Sequence, residues 1–145
     1  MDLYNGYRTL PHHWANLAAR YIRHPTWFLC LKFRIYVPEP NEAHVRHFVR
    51  LLNKNGPKSR REYSRFKFIF FPEHHFNGIV HWHGIIDDKY FDKEQATAAW
   101  QEVSGGGSLY AEPYHQGWRG FEYIAKYAHE NTSPIFYFGP THRTA

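Results

Sequence analysis

The sequence predicts an α+β fold: a central antiparallel sheet of about five strands with helices packed on one face, in a split βαβ arrangement. Three observations carry that prediction. Apolar residues alternate with period two in separate short runs, the mark of strands. Between those runs they recur at helical spacing. Two of the strands also flank Asn77-Gly78, a tight-turn dipeptide, which puts an antiparallel hairpin in the middle of the chain.

Residues 1–26 read as an N-terminal helical extension, with Trp14, Leu17, Ala18 and Tyr21 on one side of a helix from His13 to Ile22. Trp27 to Val37 is a long strand. Trp27, Leu29, Leu31, Phe33, Ile35 and Val37 face a core, and Phe28, Cys30, Lys32, Arg34 and Tyr36 face outwards as an aromatic and basic surface. Asn41 caps a helix carrying Val45, Phe48, Val49 and Leu52, which stops at Asn55-Gly56-Pro57. A basic connector follows with Lys58, Arg60, Arg61 and Arg65.

The hairpin comes next, from Arg65 to Phe71 and from Ile79 to Ile86. If Phe66, Phe68 and Phe70 share a core face with Val80, Trp82 and Ile86, even positions pair with even ones. Glu73 then lies on the face of His81, and the connection has three residues. A two-residue turn would instead set His74 beside His81, and His75 is a further alternative. Asp92 caps a helix with Ala96, Ala99, Trp100 and Val103 inward. Leu109 to His115 is a fourth strand, Phe121 to Asn131 a helix, and Ile135 to Phe138 the last strand.

The 145 residues form a single domain by length, with 21% charged and 19% aromatic residues, a folded composition. Eighteen Lys and Arg against thirteen Asp and Glu leave a net charge of +5, which favours a polyanion such as nucleic acid. One cysteine, Cys30, excludes a disulfide framework and a cysteine-rich zinc site within the chain. No apolar run approaches the roughly twenty residues a bilayer needs. The expectation is an intracellular protein without a membrane partner.

Two groups of residues carry chemistry. On a strand, His81 and His83 point to the same side, and with Glu73 they form a donor set for Mn²⁺ or Mg²⁺. On the last helix, Tyr123, Lys126 and Tyr127 share a face. A phenol is a weak nucleophile until its proton is removed or a neighbouring ammonium favours the phenolate. Tyrosine and metal on a basic, aromatic sheet point to phosphoryl transfer onto tyrosine, with Lys32, Arg34, Lys58, Arg60 and Arg61 as contacts to a phosphate backbone.

His81-Trp82-His83 resembles the His-hydrophobic-His motif of HUH endonucleases, the replication initiators (Rep proteins) of rolling-circle plasmids and of single-stranded DNA viruses and phages. Tyr123-Ile124-Ala125-Lys126-Tyr127 is similar to their third motif, with the doubled tyrosine of two-tyrosine initiators. Phe28 to Phe33 resembles their first motif, although Cys30 and Lys32 stand where threonines are usual. The resemblance spans residues 27 to 138 and implies an RRM-like HUH nuclease fold. It also implies a metal-dependent endonuclease and ligase acting on single-stranded DNA at a replication origin. Tyr123 would take the DNA as a 5′-phosphotyrosine, starting rolling-circle replication, with Tyr127 as second nucleophile or as a packing residue. A host helicase and polymerase would be partners, in the host cytoplasm or, in a eukaryote, the nucleus. The rival readings are a tyrosine transposase of the same chemistry and a nonenzymatic module that binds single-stranded nucleic acid.

Overall fold

Strands form at Trp27–Lys32 (β1), Lys67–His74 (β2), Val80–Asp87 (β3), Ser108–Pro113 (β4) and Ile135–Tyr137 (β5). Helices occupy Leu3–Tyr21 (α1), Glu42–Lys54 (α2), Lys93–Ser104 (α3) and Trp118–Ala125 (α4). This computed structural model describes residues 3–35, 42–54, 66–75, 78–128 and 134–140, with side chains from residue 10 onward. The strands make one sheet in the order β4-β1-β3-β2-β5, and every neighbouring pair is antiparallel. The α+β architecture is the one the element order predicts.

The phenylalanine alternation sets the hairpin register. Phe68 pairs with Ile86, Phe70 with Gly84, Pro72 with Trp82 and Glu73 with His81. Phe66, Phe68 and Phe70 are buried in one apolar cluster with Val80, Trp82 and Ile86. The ladder runs one step further, because the His75 N–H donates to the Ile79 carbonyl at 3.3 Å. Three residues are left to connect the strands, and Gly78 takes a positive φ of 86°, open to glycine without steric cost. His74 pairs with Val80 and is exposed, so the two-residue turn is not used.

Helices cover both faces of the sheet, where one was expected. On the first face, Phe48, Leu52 and Trp100 of α2 and α3 close over Leu29, Leu31, Phe70 and Trp82. On the second, Ala15 and Ala18 of α1 and Phe121 and Ile124 of α4 close over Phe28, Ile69, Phe71 and Ile85. The cause is the apolar content of that second face. Leaving four such side chains in water would forgo about 1.5–3 kcal/mol each.

Strand β1 is shorter than the alternation suggests. Phe33 stays buried, but Ile35 is 66% exposed and outside the core. The Trp100 indole N–H donates to the Lys32 carbonyl at 3.0 Å, taking an acceptor at the strand's end. Gly107 lies so close to that carbonyl that a Cβ there would collide with it. Helix α4 begins earlier than expected, at Trp118, and its described part ends at Ala125. The chain then tightens, with the Tyr127 N–H donating to Ile124 and the Ala128 N–H to Ala125. Helix α3 starts as predicted, the Asp92 carboxylate accepting from the N–H groups of Glu94 and Gln95. The Asn41 cap, the Asn55-Gly56-Pro57 stop, the connector with Lys58, Arg60, Arg61 and Arg65, Asn77, and the strand end at Tyr36 and Val37 lie outside the described residues. Among the described residues no helix is long and apolar enough to cross a membrane.

Candidate metal and tyrosine site

On the second face the apolar part of the sheet gives way to polar groups towards the end where β1 stops. There Lys32 lies opposite His81 and Cys30 opposite His83, while on the other side of β3 Glu73 lies opposite His81. Strand alternation puts all of them on one face. The Glu73 Oε1 is 2.7 Å from His83 Nε2, and His75 Nε2 is 3.1 Å from His81 Nδ1. His83 is buried, whereas His81, Glu73 and His75 are partly exposed. Two groups have donor atoms mutually within 4.8 Å: Glu73 with His75 and His81, and Cys30 with His81 and His83. These donors fit a divalent ion, and His81 belongs to both groups.

The electrostatics favour neutral imidazoles and an ionised carboxylate. Burial holds His83 below its usual pKa, against the upward pull of Glu73. Burial lowers His81 too, helped by the charges of His75 and Lys32. For Glu73 burial pushes up, but the hydrogen bond to His83 and the charges of the three histidines carry it below the usual carboxylate range. Neutral imidazole and carboxylate are the forms that bind metal. Cys30 differs, since burial pushes its thiol up to about 11.

The tyrosines reach this site from α4. Tyr114, just past β4, donates its hydroxyl to the Gly117 carbonyl, and Gly120 packs so closely on the Tyr114 ring that no Cβ fits. The Trp118 indole N–H donates to Asn16 of α1 at 3.1 Å. Held in this way, α4 lays Tyr127 flat on His83, with ring centroids 4.9 Å apart and planes 12° from parallel. Tyr123 meets His83 edge-on at 6.2 Å and remains 46% exposed. The Lys126 ammonium sits over both phenol rings, 4.0 Å from the Tyr123 centroid and 5.1 Å from that of Tyr127. Burial pushes the Tyr127 phenol up, followed by its hydrogen bonding to Tyr123 and the charge of Glu73.

A cleft of about 560 Å³ opens beside these groups. Lys32, His81, His83 and Tyr123 line it, together with Tyr110, Glu112, Gln116 and Arg119.

A family model described as a replication-associated protein of the ORF2 type matches residues 26–132, which include both histidine and tyrosine groups. The chain belongs to this family. Among solved structures, the crystal structure of the hypothetical protein ORF119 from Sulfolobus islandicus rod-shaped virus 1 has a similar fold. It superposes with a TM-score of 0.52 over 82% of this chain and 94% of that one, at 13% identity. No curated protein sequence matches.

In this replication-associated protein Glu73, His81, His83, Tyr123, Lys126 and Tyr127 come together from β2, β3 and the α4 region. Lys32 joins them on the cleft wall. Arg34 is exposed in the bend after β1, beside Gly106 of the α3–β4 loop, and does not line the cleft. Lys58, Arg60 and Arg61 lie outside the described residues. Two participants go beyond the sequence reading. Arg119 lies four positions before Tyr123, one helical turn away on the same face, and that spacing was its signal. His75 lies two positions past Glu73, on the same face of the extended chain.

Proposed function

We propose that this replication-associated protein is a metal-dependent nicking and joining enzyme for single-stranded DNA, with Tyr123 as its nucleophile. The observation that carries the reading is the junction at His83. One edge of its ring meets Glu73 at 2.7 Å, one face is covered by Tyr127, and Tyr123 stands beside it in the open cleft. Replication initiation by a family of this kind needs a 3′-hydroxyl made at an origin, and a tyrosine nucleophile supplies one.

In this reading a phosphodiester lies in the cleft, drawn in by Lys32 and Arg119, whose charges match phosphate oxygens. A divalent ion, Mn²⁺ or Mg²⁺, bound through Glu73, His81 and His83, supplies positive charge to a non-bridging phosphate oxygen. The Tyr123 oxygen attacks phosphorus, the Tyr123 O–P bond forms and the bond to the 3′-oxygen breaks. The phenol proton is released and the 3′-oxygen leaves as a hydroxyl, so the 5′-phosphate stays on Tyr123. Lys126 over the ring face stabilises negative charge developing on the phenol. The reverse attack by the 3′-hydroxyl rejoins the strand. Tyr127 packs on His83 and fixes its ring, which makes it a positioning residue rather than a second nucleophile.

The test is incubation with Mn²⁺ and a randomised single-stranded DNA library, followed by a denaturing gel. The expected result is a covalent protein–DNA band that disappears with Tyr123→Phe and with His81→Ala. A protein that retains DNA but never forms the covalent band would be a binding module, and the enzymatic reading would fall.

A further inference from the structure

We propose that His75 is a direct ligand of the bound ion, so that the site presents three imidazoles and one carboxylate and selects a transition metal over Mg²⁺. The inference rests on the metal site proposed above and specifies its donors and its ion.

The argument begins with the hairpin. Because the ladder extends to His75 and Ile79, His75 is held by backbone bonding on the same face as Glu73 and does not hang from a turn. Its Nε2 lies 3.1 Å from His81 Nδ1 and 3.4 Å from Glu73 Oε1. Metal–nitrogen bonds of about 2.0–2.1 Å put neighbouring ligand atoms about 3.0–3.4 Å apart, at the right angle of an octahedron or the wider angle of a tetrahedron. Both separations around His75 fall in that interval. Three donors from three residues thus already have the mutual spacing an ion would impose.

The plainer account is a hydrogen-bonded histidine pair. It explains the 3.1 Å separation, for which one proton shared between two nitrogens suffices. It leaves unexplained why the same Nε2 also closes on a carboxylate, and why His83 meets that carboxylate from the other side at 2.7 Å. A carboxylate flanked by three imidazoles is a donor set with one missing centre. His74 shows the contrast: one position earlier, it points to the other face and is exposed.

The donor set decides the ion. Mg²⁺ favours oxygen ligands and retains its waters, and three imidazoles suit it poorly. Imidazole suits Zn²⁺ and Co²⁺, and among first-row ions affinity rises from Mn²⁺ through Co²⁺ towards Zn²⁺. The expected order of binding is Zn²⁺ and Co²⁺ above Mn²⁺, with Mg²⁺ last.

The experiment is calorimetric titration of the intact protein with Zn²⁺, Mn²⁺ and Mg²⁺, together with the visible absorption of the Co²⁺ form. With His75→Ala, Zn²⁺ and Co²⁺ affinity should fall tenfold or more and the Co²⁺ spectrum should change, while His74→Ala matches the parent. If His75→Ala binds Zn²⁺ like the parent while His81→Ala does not, His75 is no ligand, but the metal site stands. If neither His81→Ala nor His83→Ala weakens Zn²⁺ binding, the site itself is refuted. Should His75→Ala not fold, nitrogen NMR of the unaltered protein decides. Zn²⁺ must then move the His75 ring-nitrogen resonances with those of His81, and a stationary His75 signal overturns the inference.

Discussion

Replacing Tyr127 separates a one-tyrosine reaction from a two-tyrosine one. Tyr127→Phe keeps the ring that stacks on His83 at 4.9 Å and removes only the hydroxyl. That hydroxyl interacts with Tyr123 and Glu73, and a hydrogen bond of this kind contributes about 0.5–1.5 kcal/mol. Since each 1.4 kcal/mol is tenfold in rate, Tyr127→Phe should slow covalent adduct formation about two- to tenfold. Tyr127→Ala removes the stack as well, worth about another 0.5–1.5 kcal/mol. Its rate should fall about 10- to 150-fold. Tyr123→Phe, lacking the nucleophile, should give no adduct at all. The assay is the single-turnover rate of adduct formation with Mn²⁺ and a labelled strand selected from the library. If Tyr127→Phe abolished the adduct as completely as Tyr123→Phe, Tyr127 would be a reacting group and its positioning role would be wrong.

Two further perturbations reach the same site by other routes. His81 and His83 both titrate below their unfolded value in the metal-free protein, mainly through burial. A depressed folded pKa contributes stability that is present above the unfolded pKa near 6.5 and lost as pH falls through the folded values. Urea denaturation in chelator should show stability declining from pH 7.5 to 5, with a shallower decline in the His81→Gln, His83→Gln double variant; equal slopes would contradict the assignment. Gly84 faces Phe70 across the hairpin with no room for a Cβ, which would enter the ring. Gly84→Ala should cost about 1–3 kcal/mol in urea denaturation through overpacking, and unchanged stability would mean the hairpin is packed differently.

Much of the site was legible because strand parity is strict. Three phenylalanines in alternation fixed which residues of the hairpin face each other, and Glu73 followed from that arithmetic. His75 obeyed the same parity, but next to Asn77-Gly78 it looked like turn rather than ladder, and only the bond to Ile79 shows that the strand continues. The two-sided helix packing was also encoded, in Phe28, Ile69, Phe71 and Ile85. It was obscured because Lys32 and Arg34, on the same face by alternation, suggested a solvent-facing surface. Residues 33–35 could not have been resolved from pattern alone, because the end of β1 is set by Trp100, sixty-eight positions beyond Lys32. The partnership of Tyr127 with His83 is likewise a product of tertiary packing.

Both imidazoles of the His81-Trp82-His83 stretch are carried by β3, which has a bonded neighbour on each side and Trp82 buried beneath. Backbone in such a position opens only with the whole sheet. The cradle for the ion therefore stands whether or not the ion is there, unlike small metal domains that unfold on chelation. Loading and unloading become matters of side-chain rotation, and the cation serves as an exchangeable reagent rather than a structural part. A cell that shifts its supply of transition metal would thereby set how fast this protein acts, while the amount of folded protein stays the same.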